Sequence, residues 1–132
     1  MRNFDNDTIR MINTFENITG AEVRDCICSD VIYFLVNPGK MAKAIGKNGQ
    51  NIKIAEKMLK KSIKIFEWSE DCEQFIRNMI PSTQKIDINN DKATITIGNE
   101  NRGAVFGKKG CNIKAIREFL IRNSHIKELK IL

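Results

Sequence analysis

No stretch of this 132-residue sequence approaches the roughly 20 consecutive apolar residues needed to cross a bilayer. The opening Met1-Arg2-Asn3-Phe4-Asp5 also lacks the apolar core of a secretory signal. The expected location is therefore the cytoplasm, with no membrane partner. The four cysteines, Cys26, Cys28, Cys72 and Cys111, contain no C-x-x-C pair and no spacing with His125 that reads as a zinc site. No metal, cofactor or disulfide framework is expected. Cys26 and Cys28 lie two apart in an apolar stretch, so on a strand they share one face and read as small, reduced core residues. His125 is the single histidine and reads as structural. Aromatic residues make up only 7% of the chain, with Trp68 and Tyr33 the sole representatives of their types. Any recognition of a planar ligand then has little stacking surface to use.

What the chain does contain is positive charge, at +6 overall with a pI near 9.3, which favours a polyanionic partner. Its distribution says more than its sum. Residues 1–30 carry −3, residues 31–66 carry +7, residues 67–91 carry −4 and residues 92–132 carry +6. The same acidic-then-basic alternation is written twice, which calls for a search for an internal repeat.

Gly46-Lys47-Asn48-Gly49-Gln50-Asn51-Ile52-Lys53 recurs as Gly107-Lys108-Lys109-Gly110-Cys111-Asn112-Ile113-Lys114, with six of eight positions identical at an offset of 61. Downstream the offset pairs Ile52 with Ile113, Ala55 with Ile116, Met58 with Phe119 and Leu59 with Leu120. Those positions share the spacing of one helix face. Upstream, Val31 to Val36 and Ala93 to Ile97 read as strands. Each follows a second strand candidate, Ala21 to Ile27 through Ser29-Asp30 in one half, and Lys85 to Ile88 through Asn89-Asn90-Asp91-Lys92 in the other. Ser62 to Phe66 and Lys127 to Ile131 alternate like edge strands, but their apolar positions, Ile63 against Leu129, fall out of register by five residues, so the second half has a longer helix or loop around Asn123-Ser124-His125.

Each half opens with a helix candidate. Thr8 to Ile18 places Ile9, Ile12 and Phe15 at helical spacing and stops at Gly20. Ser69-Glu70-Asp71-Cys72-Glu73 begins with a capping residue and an acidic first turn, and its helix stops before Pro81. The order is helix, strand, strand, helix, Gly-loop, helix, strand, twice over. The expected class is α+β, with domains at 1–67 and 68–132. No Gly/Ser-rich linker separates the halves, so they are expected to pack as one rigid body.

Glycine at both ends of a four-residue link between helices allows a tight turn and leaves its backbone bare. The following helix, starting near Gln50 or Cys111, points unsatisfied amides and its positive dipole end outward, which suits a phosphate. Lys47, Lys108 and Lys109 add charge there, and Lys43, Lys53, Arg102 and Lys114 extend the patch. Asn51 and Asn112 read as braces that bond loop amides, or as ligand contacts. Ile45 and Phe106 read as core anchors of the short helix.

These residues resemble type II KH domains, and two in tandem over the whole chain are similar to the NusA family of transcription factors. Ala44-Ile45-Gly46-Lys47-Asn48-Gly49-Gln50-Asn51-Ile52 is the stretch most like NusA. Phe106 and Cys111 depart from the usual pattern. The resemblance implies α-β-β-α-α-β domains, each a small mixed three-stranded sheet packed by helices, in a single-stranded RNA-binding protein of transcription elongation and termination. By the same resemblance each Gly-x-x-Gly loop clamps about four nucleotides of backbone. The RNA-binding set is then Lys43, Gly46, Lys47, Asn48, Gly49, Gln50, Asn51, Lys53, Arg102, Gly107, Lys108, Lys109, Gly110, Asn112 and Lys114. Ile52, Ile54, Ile63, Ile113 and Leu129 are candidate walls of a groove for bases. RNA polymerase or other transcription factors are the candidate protein partners, and single-stranded DNA is a second possible ligand.

Two rival readings use the same residues. A Walker A loop fails, because Gly103-Ala104-Val105-Phe106-Gly107-Lys108-Lys109 is one residue short between glycines and lacks the Ser/Thr for a metal, and Gly46-Lys47 has no glycine five positions earlier. Carboxylates are sparse around both loops, leaving no general base and no expectation of catalysis. A ribosomal or RNA-processing role for the same fold stays open at this point.

Overall fold

The computed structural model describes residues 5–132; the reading of Met1 to Phe4 above lies outside them. The chain divides into two compact units, one ending at Trp68 and one running from Ser69 to Leu132. Trp68 stays with the first unit because its N–H donates to the Val36 carbonyl at 2.9 Å and its ring lies 3.6 Å from the Arg24 guanidinium.

In the first unit the elements are α1 (Asn6–Thr19), β1 (Val23–Cys28), β2 (Val31–Val36), α2 (Met41–Ile45), α3 (Gln50–Leu59) and β3 (Ser62–Glu67). The second unit repeats the order with α4 (Cys72–Met79), β4 (Thr83–Asn89), β5 (Lys92–Ile97), α5 (Asn99–Phe106), α6 (Cys111–Asn123) and β6 (Glu128–Ile131). Each unit is thus α-β-β-α-α-β, with one mixed sheet. β2 pairs antiparallel with β1 and parallel with β3, and β5 does the same with β4 and β6. Antiparallel neighbours need only a short turn, whereas the parallel pair needs a crossover. The crossover is the segment that holds the Gly-loop.

Local chemistry explains where the elements begin and end. The Asp5 carboxylate accepts the Thr8 N–H at 2.7 Å and caps α1, while Gly20, at φ 74°, ends it in the left-handed conformation. The Asp5 carboxyl is held below its ordinary value by the Thr8 backbone amide first and the Thr8 hydroxyl second. Ser69 does not cap α4. The N-cap is Asp71, without a side-chain hydrogen bond, and the Ser69 hydroxyl instead accepts the Asp71 N–H at 3.2 Å. The β4–β5 turn is closed by Asn90 at φ 57°, a conformation that Asn tolerates better than most residues.

The first unit's core joins Phe15, Ala21, Cys26, Ile32, Phe34, Val36, Ala44, Ala55, Ile63 and Ile65. Phe15 stacks on Phe34 with ring centroids 4.0 Å apart, fixing α1 over β2. Two carboxylates clip helices to strands: Glu16 accepts the Val23 N–H at 2.8 Å and Glu56 accepts the Ile63 N–H at 2.9 Å.

Several residues take places other than those expected. Cys26 is buried, but Cys28, at the strand's end, is exposed, and Cys72 and Cys111 are half-buried; all are free thiols. Met58 is 63% exposed although its counterpart Phe119 is fully buried, so the two halves do not use that helix position alike. α6 has 13 residues against 10 in α3, which accounts for part of the register slip before the last strand. Among the described residues no helix is long and apolar enough to cross a membrane.

Candidate nucleic-acid interface

Between α2 and α3 the chain makes one short 3-10 turn over Lys47-Asn48-Gly49. Gly46 has φ 78°, ψ 170°, Asn48 φ 57°, ψ 27°, and Gly49 φ 75°, ψ 16°. Between α5 and α6 the corresponding values are 75°, 176° at Gly107, 57°, 25° at Lys109 and 72°, 19° at Gly110. Each loop is closed by the second glycine's N–H donating to the first glycine's carbonyl at 3.1 Å. Two different sequences therefore hold one backbone shape.

The two glycines of each loop are needed for different reasons. A Cβ on Gly46 would sit 2.7 Å from Asn51 Cγ and 2.8 Å from the Asn51 backbone nitrogen; one on Gly107 would sit 2.8 Å from Asn112 Cγ. Their φ and ψ also fall in a region that is essentially glycine-only. Gly49 and Gly110 have room for a Cβ, with nearest atoms at 3.8 Å and 3.9 Å, but their positive φ disfavours one.

Asn51 and Asn112 brace the loops through carbonyls rather than amides. The Asn51 side-chain amide donates to the Lys43 carbonyl at 2.7 Å, and that of Asn112 donates to the Ala104 carbonyl at 3.0 Å. Each ties the helix after the loop to the helix before it. Asn112 is 6% exposed, so its part is to hold the loop in shape. α3 starts at Gln50 and α6 at Cys111, where the N-caps Gly49 and Gly110 supply no side-chain acceptor to the first-turn amides.

Lys43, Lys47, Asn48, Gln50 and Lys53 are exposed around the first loop, and Lys108, Lys109 and Lys114 around the second. None of these lysines forms an ion pair with another described residue. The Lys53 side chain reaches back toward Gly49, its Cε 3.9 Å from where a Cβ would lie. Arg102 is committed elsewhere: its Nη1 donates to the Leu132 carbonyl at 2.7 Å, and its guanidinium lies 5.6 Å from the Phe106 ring.

The expected groove walls mostly face inward. Ile63, Ile113 and Leu129 are buried, Ile52 is packed against the core, and Ile54 alone of the five is exposed. Ile45 is 36% exposed and Phe106 half-buried, so neither anchors a short helix deep in the core. Sequence reading missed the left-handed residues Asn48 and Lys109; both sit third in their loop, at φ 57°.

Residues 18–73 match the family model of the NusA-like second KH domain. The probable transcription termination protein NusA of Methanocaldococcus jannaschii is 35% identical over 96% of this chain and 73% of its own length. The chain belongs to the NusA-like KH family. The Thermoplasma acidophilum protein of the same name is 31% identical, covering 96% of this chain and 93% of its own. The crystal structure of APE1850 has a TM-score of 0.73 at 29% identity, over 94% of this chain and 96% of that one. The matched residues cover the first unit from the end of α1 onward, include the loop from Gly46 to Gly49, and run five residues into the second unit.

Proposed function

We propose that this NusA-like chain is a non-enzymatic, single-stranded RNA-binding factor of transcription termination, with each Gly-Lys-x-Gly loop gripping the RNA backbone. The observation that carries the reading is the repetition of one bare backbone turn, at 46–49 and 107–110, each opening a helix without a side-chain cap. Amides at such helix starts favour an anion, and the lysines beside them, which form no ion pair among the described residues, add mobile charge. The glycines leave no side chain to hold a sugar-phosphate strand away. With few aromatics, sequence preference would come from base-edge hydrogen bonds more than from stacking. The role in transcription is supported by the names of the relatives, each a probable transcription termination protein.

In this reading Lys43, Lys47, Asn48, Gln50 and Lys53 meet the strand at the first loop, and Lys108, Lys109 and Lys114 at the second. The glycines present the amides, and Asn51 and Asn112 hold the shape. The protein works in the cytoplasm with RNA polymerase or another transcription factor as its protein partner.

Lys47→Asp with Asn48→Asp tests the clamp. Both side chains are exposed, and Asp tolerates the left-handed position that Asn48 occupies. Fluorescence anisotropy with labelled single-stranded RNA is expected to show about a tenfold or greater loss of affinity, as two charges are placed against phosphate. Unchanged affinity with unchanged circular dichroism would remove the first loop from the site. Equal affinity for single-stranded DNA would show that the 2′-hydroxyl is not read. Co-purification with ribosomal particles rather than RNA polymerase would overturn the transcription role.

A further inference from the structure

Cys72 and His125 are 53 residues apart in sequence, yet the Cys72 sulfur lies 3.4 Å from His125 Nδ1. The other ring nitrogen, Nε2, lies 3.1 Å from the Asn90 carbonyl. A carbonyl can only accept, so Nε2 carries the ring proton and Nδ1 presents its lone pair to the thiol. The imidazole is held in place by its surroundings. The Ser124 hydroxyl donates to the Leu120 carbonyl at 2.6 Å and accepts the Ile126 N–H at 3.1 Å. On the far side the Asp91 carbonyl accepts the Lys127 N–H at 2.7 Å. A sulfur, a nitrogen base aimed at its proton and a third group orienting that base form the arrangement of an activated nucleophile.

We propose that Cys72 is a thiol-modification site of this protein, selective for small uncharged hydroperoxides, with His125 as its base. The sulfur attacks one peroxide oxygen, forming an S–O bond as the O–O bond breaks. The thiol proton passes to Nδ1 and leaves with the departing hydroxide as water, or with the departing alkoxide of an organic hydroperoxide as an alcohol. Sulfur is oxidised by two electrons and the peroxide reduced by two, leaving a sulfenic acid at Cys72. Exposed Glu70, Asp71 and Glu73 flank the sulfur in sequence, so anionic reagents are disfavoured and neutral ones are not. Cys72 is half-buried and His125 exposed, which gives a small reagent access.

The chain supplies its own control. Cys111 is likewise half-buried and likewise the first residue of a helix, but its sulfur has the Asn112 amide oxygen at 3.9 Å in place of an imidazole. The full chain is treated with hydrogen peroxide and a dimedone-type trap, and each cysteine's labelling rate is followed by peptide mass spectrometry. Cys72 is expected to react about tenfold faster than Cys111 or more, in line with the contribution of a positioned base. His125→Gln, which can keep the donor to Asn90, is expected to bring Cys72 down to the Cys111 rate with an unchanged melting curve. A Cys72 rate no higher than that of Cys111 overturns the proposal, as does a rate that persists in a folded His125→Gln protein. If that variant does not fold, the ratio measured in the unaltered chain decides by itself.

Discussion

Replacing Gly46 by alanine isolates what the first glycine of the loop does. The new Cβ would meet Asn51 at 2.7 Å to Cγ and 2.8 Å to the backbone nitrogen. A flexible side chain could swing aside, but the nitrogen belongs to the first turn of α3 and cannot. Overpacking of this kind costs about 1–3 kcal/mol. The φ 78°, ψ 170° of Gly46 adds about 1–3 kcal/mol for a residue with a Cβ. A destabilisation of about 3 kcal/mol is expected, which lowers a urea midpoint by about 1.5 M for a slope near 2 kcal/mol per M. Gly49→Ala is the matched control. It has φ 75° but no contact under 3.8 Å, so its cost is the left-handed conformation alone, about 1 kcal/mol. Equilibrium unfolding of the two variants, followed by circular dichroism, gives the comparison directly. If Gly46→Ala is no less stable than Gly49→Ala, the close approach to Asn51 is not what demands the first glycine.

Lys109 occupies at φ 57° the place that Asn48 occupies in the first loop. Lys109→Asn should raise stability by about 0.5–1 kcal/mol through relief of the backbone. It should also flatten the log–log dependence of RNA affinity on salt by about 0.7, the share of one phosphate contact on a single strand. An unchanged slope would take Lys109 off the strand's path. The Asp5 cap should titrate in the folded protein below the ordinary Asp value, because the Thr8 amide and hydroxyl favour the carboxylate. The stability it lends α1 is then complete above the unfolded-chain value and is lost as pH falls through the lower folded value. An NMR titration of the Asp5 carboxyl carbon with a midpoint at or above that of an unstructured peptide would contradict the cap.

Much of the fold was legible because each unit's local signals agree with its tertiary structure. The apolar run Val31 to Val36 became β2 with the same ends, and Gly20 stopped α1 where a left-handed residue was needed. The two loops were legible through their glycines, since few other residues permit that backbone. What escaped depended on partners distant in sequence. Met58 and Phe119 share a repeat position and a helix face, but only one is buried; the repeat predicts orientation, and burial depends on what packs against that face. Ile63, Ile113 and Leu129 were candidates for an open groove because the resemblance maps apolar groove walls onto them, and their apolar side chains are buried in cores instead. Arg102 lies near a loop in sequence, yet a terminal carbonyl 30 residues away holds its guanidinium.

The amide bridges from Asn51 to the Lys43 carbonyl and from Asn112 to the Ala104 carbonyl also bear on what complex formation demands of the protein. Each loop is tied by its own bridge to the helix before it, so a strand bound as proposed would meet a turn whose backbone is already held. In the proposed clamp the ordering penalty of association would then fall on the strand and the lysine side chains and not on the loop backbone, leaving more of the interaction energy to appear as affinity than a loop that had to settle first could deliver.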